Sequence, residues 1–115
     1  MNYINNKERE LYRIIDACVR CCQMQLADGS MNITSADVLG KSRAENIVMT
    51  RSIVVSQLVH AGYAITTCAQ LLRRSPPAIR HLMQLDRQYY DTSRAYRIAN
   101  AEAVIACKDL ELHGL

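Results

Sequence analysis

The sequence contains no phenylalanine and no tryptophan, and only 2 prolines and 4 glycines in 115 residues. Without the two largest apolar aromatics, any core must be assembled from Leu, Ile, Val, Met, Ala and Tyr. So few chain breakers, and no long alternation of β-branched with polar residues, exclude a fold of many short strands and favour helices. An apolar leader is missing too, since Met1, Asn2, Lys7, Glu8 and Glu10 make the first ten residues polar and charged rather than a secretory signal. Long apolar runs are also lacking. The longest stretch free of charge lies between Arg51 and Arg73, and Gln57, His60, Gly62 and Gln70 interrupt it, so it does not read as a membrane span. These absences predict a soluble, cytoplasmic, single helical domain over residues 1–115 with no membrane partner.

Chemistry-bearing constellations are equally scarce. His60, His81 and His113 stand apart from any Ser or Cys nucleophile pattern, and the acids form no paired motif, so no catalytic residue and no enzyme activity is expected. No Gly-x-x-x-x-Gly-Lys-Ser/Thr loop occurs, which removes the usual phosphate cradle of an ATPase and any expected nucleotide. Five cysteines are present, at 18, 21, 22, 68 and 107. Cys18-x-x-Cys21-Cys22 invites a metal or redox reading. No second Cys/His pair sits at zinc-ligand spacing, so small reduced thiols are expected, with no metal and no cofactor.

What is present is charge, unevenly placed. The net charge is +3. Residues 41–97 hold nine Lys/Arg (Lys41, Arg43, Arg51, Arg73, Arg74, Arg80, Arg87, Arg94 and Arg97) against Glu45, Asp86 and Asp91, which makes that segment +6 and the remainder −3. A basic middle of this kind attracts a polyanion, although a solvated helical surface also needs charge.

Periodicity then places the elements. Leu11, Ile14, Ile15, Cys18, Cys22 and Leu26 recur at three-to-four spacing and predict a helix over 7–26, ended by Asp28-Gly29-Ser30. Thr34 with Asp37 is a capping-box pattern for a short helical turn, followed by a basic loop at Gly40-Lys41-Ser42-Arg43. A helix over 44–60 follows, its inner face Ile47, Thr50, Val54, Leu58 and Ala61 with Ile53 and Gln57 alongside, and Gly62 stands at its end. Thr66 or Thr67 caps a short helix through Leu72. Arg73-Arg74-Ser75 is a turn, and Ser75-Pro76-Pro77 starts another helix. Two short helices about a tight turn, over residues 66–88, form a helix-turn-helix. A last helix over 92–112 is expected to pack through Ala95, Ile98, Ala99, Glu102, Ile105, Ala106 and Leu110, either on the domain or on a second copy. Tyr89, Tyr90 and Tyr96 are expected to pack half-buried rather than stack on bases.

Residues 33–83 resemble the C-terminal DNA-binding domain of the bacterial replication initiator DnaA. The resemblance rests on Ile33-Thr34-Ser35-Ala36-Asp37-Val38-Leu39-Gly40-Lys41-Ser42-Arg43, then Arg51, then Ile65-Thr66-Thr67-Cys68-Ala69-Gln70-Leu71-Leu72, and it continues without gaps to Arg74, Ile79 and His81. It implies an all-α, Trp-repressor-like fold with a DNA-binding core at 33–90, plus one extra C-terminal helix. It also implies double-stranded DNA as partner, in replication- or transcription-related regulation. By position, Lys41 and Arg43 match the family's basic loop, Arg51 the arginine early in the long helix and Arg74 the arginine of the turn. Arg73, Ser75 and Arg80 complete the expected DNA-binding set. The departures fall where the family reads bases, because Ser75, Pro76, Pro77 and Ala78 replace its Asp-His and two hydroxyl residues, and Glu45 and Met49 replace two loop cations. Pro and Ala carry no side-chain donors or acceptors for base edges. Two functions therefore follow from the sequence: duplex binding with altered or weak specificity, or a non-enzymatic protein-interaction module that keeps the fold and has lost readout. A homodimer through the last helix suits either.

Overall fold

The computed structural model describes residues 6–27 and 32–110. Among these it is all helical: α1 (Asn6–Leu26), α2 (Ser35–Leu39), α3 (Glu45–His60), α4 (Ile65–Leu72), α5 (Pro76–Thr92) and α6 (Arg94–Lys108). The Asp28-Gly29-Ser30 stop and residues 111–112 of the expected last helix lie outside the described residues. No described helix is long and apolar enough to cross a membrane.

Local chemistry accounts for most boundaries. Thr34 and Asp37 form a complete capping box: the Asp37 amide donates to Thr34 Oγ1 at 3.2 Å, and the Thr34 amide donates to the Asp37 carboxylate at 2.9 Å. Ser75 caps α5 by accepting from the Ala78 amide, with the two prolines in the first turn as expected. Gly62, at φ 97°, supplies the left-handed residue just beyond α3. The start of α4 differs from expectation. Ala64 is its N-cap and offers no side-chain cap, so Thr66 and Thr67 lie inside the first turn. Ser93 ends α5 and caps α6 by accepting from the Tyr96 amide, which divides the chain two residues later than expected.

Helix α3 is the hub, packed against all five other helices. Its expected inner face is buried from Ile47 to Leu58, with Ala61 half-buried as the C-cap, and Arg51, Ser52 and Val55 are buried too, because neighbours surround the helix on nearly every side. Each fully buried aliphatic side chain contributes about 1.5–3 kcal/mol relative to exposure. In the absence of Phe and Trp, the largest fully buried side chain is Tyr96. Its hydroxyl donates to Asp86 at 2.5 Å, and its ring lies 5.3 Å from that of half-buried Tyr89, whereas Tyr90 stays half exposed.

Helix α6 is rotated relative to the sequence expectation. Tyr96, Ala99, Ala103 and Cys107 face inward, while Ile98 and Ile105 point outward. Three contacts set this rotation. Tyr96 must reach Asp86, Ala99 and Ala103 let α1 approach closely, and Cys107 meets Cys18 of α1. The Cys18–Cys107 hydrogen bond, and then burial, push the Cys18 thiol well above its usual range, while the same bond draws Cys107 down against the opposing effect of its own burial. All five cysteines are free thiols, and among the described residues no group of three or more His, Cys, Asp or Glu could hold a metal ion.

Candidate nucleic-acid interface

The α2–α3 loop and the α4–α5 turn are 30 residues apart in sequence and meet across one groove. Two guanidiniums, one buried and one half-buried, build this junction. Arg51, only 5% exposed, sends Nε to the Val38 carbonyl at 2.9 Å and Nη1 to Ser42 at 3.2 Å. Its Nη2 reaches the carbonyls of Asp37 at 3.1 Å and Gly40 at 3.2 Å. A five-residue helix such as α2 leaves its last carbonyls without intrahelical donors, and Arg51 supplies them. Arg74 donates through Nη1 to Leu72 at 3.0 Å and through Nη2 to Gly40. Gly40 tolerates this convergence because it has no side chain. A Cβ there would stand 3.0 Å from the Ala36 carbonyl oxygen. Burial, and then the neighbouring Arg74, draws Arg51 down to about 10; burial also lowers Arg74. Both remain cations at neutral pH.

Above this frame lies an open groove of about 810 Å³. Lys41 and Arg43 approach from the loop, Arg73 and Arg74 from the turn, and Arg51 from the floor, with Leu39, Val48 and Leu82 as apolar walls. Five cations line the groove, and no carboxylate does. Lys41, Arg43 and Arg73 are exposed, and their side chains make no hydrogen bond or ion pair among the described residues. Arg73 takes the left-handed conformation that a glycine would normally supply, at φ 57°. This explains how the turn forms without glycine, at a backbone cost of about 1–2 kcal/mol.

The seven residues expected from sequence thus divide. Lys41, Arg43 and Arg73 present free charge to the groove. Arg51 and Arg74 line it, but most of their donors point inward to backbone carbonyls, so their principal task is to hold the loop against the turn. Ser75 is occupied as a cap. Arg80 is exposed on α5 but does not line the groove.

The start of α5 cannot capture an anion with its backbone. Pro76 and Pro77 have no N–H, the Ala78 amide is held by Ser75 Oγ, and the Ile79 amide by the Ser75 carbonyl. Side chains must therefore make any contacts. His81 lines the groove and is exposed. Gln84 and Gln88, three and seven residues on, share its edge of the helix and are also exposed. Neither glutamine belongs to a motif in the sequence, and their three- and seven-residue spacing from His81 is the one signal there that places them on its edge.

This chain matches no protein-family model, no curated protein and no solved structure.

Proposed function

We propose that this protein binds double-stranded DNA, with α4 and α5 as the helix-turn-helix and the groove as its phosphate grip. The observation that carries this reading is the gathering of five cations from two loops and a helix, with no acid among the groove's lining residues. Cations flanking an inserted helix fix its register on a duplex without reading sequence. The resemblance to the DnaA C-terminal domain supports the same reading, because Lys41 and Arg43 occupy its basic loop. It points to a non-enzymatic role in replication- or transcription-related regulation in the cytoplasm.

Fluorescence anisotropy with labelled duplexes of mixed sequence, titrated at several salt concentrations, tests the reading. Binding should weaken steeply with salt as condensed counterions are released. Changing Lys41, Arg43 and Arg73 together to Gln should reduce the slope of log affinity against log salt by about three. Absence of binding at low salt, or unchanged affinity in the triple variant, overturns it.

A second reading, a protein-interaction module, draws on the inert start of α5. Pro76, Pro77 and Ala78 give that helix no base-reading groups in its first turn. Absence of duplex binding at low salt would favour it.

A further inference from the structure

Among the described residues, the outward face of α6 has no partner. Ile98, Ala101, Val104 and Ile105 recur along it at helical spacing, exposed, with Ile105 64% accessible. Between Arg97 and Lys108 this face carries no charge. Glu102 is half-buried and turned aside, accepting from Gln25 Nε2 of α1. A solvated helix face three turns long normally carries charge, so an uncharged one marks a contact surface.

We propose that a second copy of this chain covers the face, with the two α6 helices antiparallel about a two-fold axis between Ala101 and Glu102. The positions along the helix select this occupant. In that register Ile98 meets the partner's Ile105, and Ile105 meets the partner's Ile98. Ala101 lies beside the axis, where a small side chain allows close approach and a shallow crossing. Arg94, at the α6 N-terminus, then meets Asp109 of the partner subunit just beyond the end of its α6, and the symmetry repeats the pair. Both charges are exposed, so both are available for this pairing. Arg94 also faces the negative end of the partner helix, and the two helix dipoles oppose one another favourably. Lys108 remains at the rim with its ammonium in water. One self-complementary register thus satisfies the apolar pairs and the end charges together, as an isologous interface requires. No α6 residue lines the basic groove, so the dimer leaves both grooves open.

The test needs no DNA, so its outcome is separate from the DNA-binding reading. Sedimentation velocity of the full chain between about 1 and 100 µM should show a reversible monomer–dimer equilibrium. Ile105→Glu should shift it to monomer with an unchanged circular dichroism spectrum. Arg94→Asp and Asp109→Arg should each weaken the dimer at low salt, and the two combined should restore it. Ala101→Cys, oxidised with copper phenanthroline, should yield a cross-linked dimer that the wild type, with its buried or half-buried thiols, does not. A chain that stays monomeric at 100 µM overturns the proposal. A dimer that survives Ile105→Glu, or one that Ala101→Cys does not cross-link, overturns it as well.

Discussion

Arg51 of α3 and Arg74 of the α4–α5 turn donate to one acceptor, the carbonyl of Gly40. Two cations brought together on a neutral oxygen repel one another and are stabilised by an approaching anion. They also tie the basic loop to the helix-turn-helix, so the free cations Lys41, Arg43 and Arg73 are held at a fixed spacing. In this junction the fold and the proposed function share the same side chains.

Stability and binding should therefore separate by residue. Arg51→Ala removes the donors from four carbonyls and should cost about 2–4 kcal/mol of folding stability. Arg51→Lys should recover only part of this, since one ammonium cannot reproduce the planar fork. Lys41→Gln and Arg43→Gln, both at exposed positions, should leave the melting temperature nearly unchanged and lower duplex affinity. Thermal melts paired with anisotropy on the same proteins check this. Equal destabilisation by all four variants would contradict the division.

Arg73→Gly should move stability and binding in opposite directions. Glycine adopts the left-handed conformation at φ 57° without the Cβ clash, so the variant should be more stable by up to about 1 kcal/mol after the added chain entropy of glycine is subtracted. It also loses a groove cation, so its affinity for duplex DNA should fall and the salt slope should decrease by about one. A denaturant midpoint that rises while affinity drops is the expected pattern. A lower midpoint would show that the arginine side chain stabilises the turn.

Much of this was legible in sequence, and the rest was not, for identifiable reasons. The α1 stripe, the Thr34–Asp37 box and the Ser75-Pro76-Pro77 start are local signals, and local signals fix local structure. The grouping of Lys41 and Arg43 with Arg74 was expected only from the resemblance to the DnaA domain, since no local pattern brings the loop to the turn. The burial of Arg51 was not legible, because it depends on where the carbonyls at the end of α2 point, which no local pattern records. The rotation of α6 was hidden by its alanines. With small residues at 95, 99, 101, 103 and 106, several faces are nearly equal in apolar character, and Tyr96 and Cys107 decide among them through partners on α5 and α1.

Specificity, where present, should reside in the middle of α5. Gln84 and Gln88 are exposed on the edge that His81 shares with the groove, and a glutamine amide can pair with the adenine edge in the major groove. Gln84→Ala should change the preferred sequence recovered in a selection from random duplexes, and it should leave the salt slope unaltered because no phosphate contact is lost. An identical selected sequence from both proteins would remove Gln84 from the readout.

Asp86 gives a pH-dependent prediction with a definite sign. Burial raises its carboxyl above the usual 3.8, and the opposing hydrogen bond from Tyr96 and the charges of His60 and Arg87 do not offset this. A carboxyl with a folded-state pKa above its unfolded value binds more protons when folded. Its contribution therefore favours the folded state most in acid and is lost as pH rises from about 3.8 through the raised native value. Asp86→Asn retains an oxygen that can accept from Tyr96 and Asn100 and removes the poorly solvated charge. The variant should be at least as stable as the wild type at pH 7, and its advantage should shrink toward pH 4. Melting temperatures of both proteins across that range, followed by circular dichroism, measure the gap. A wild type that gains on the variant as pH rises would show instead that the Tyr96–carboxylate bond outweighs the burial of the charge.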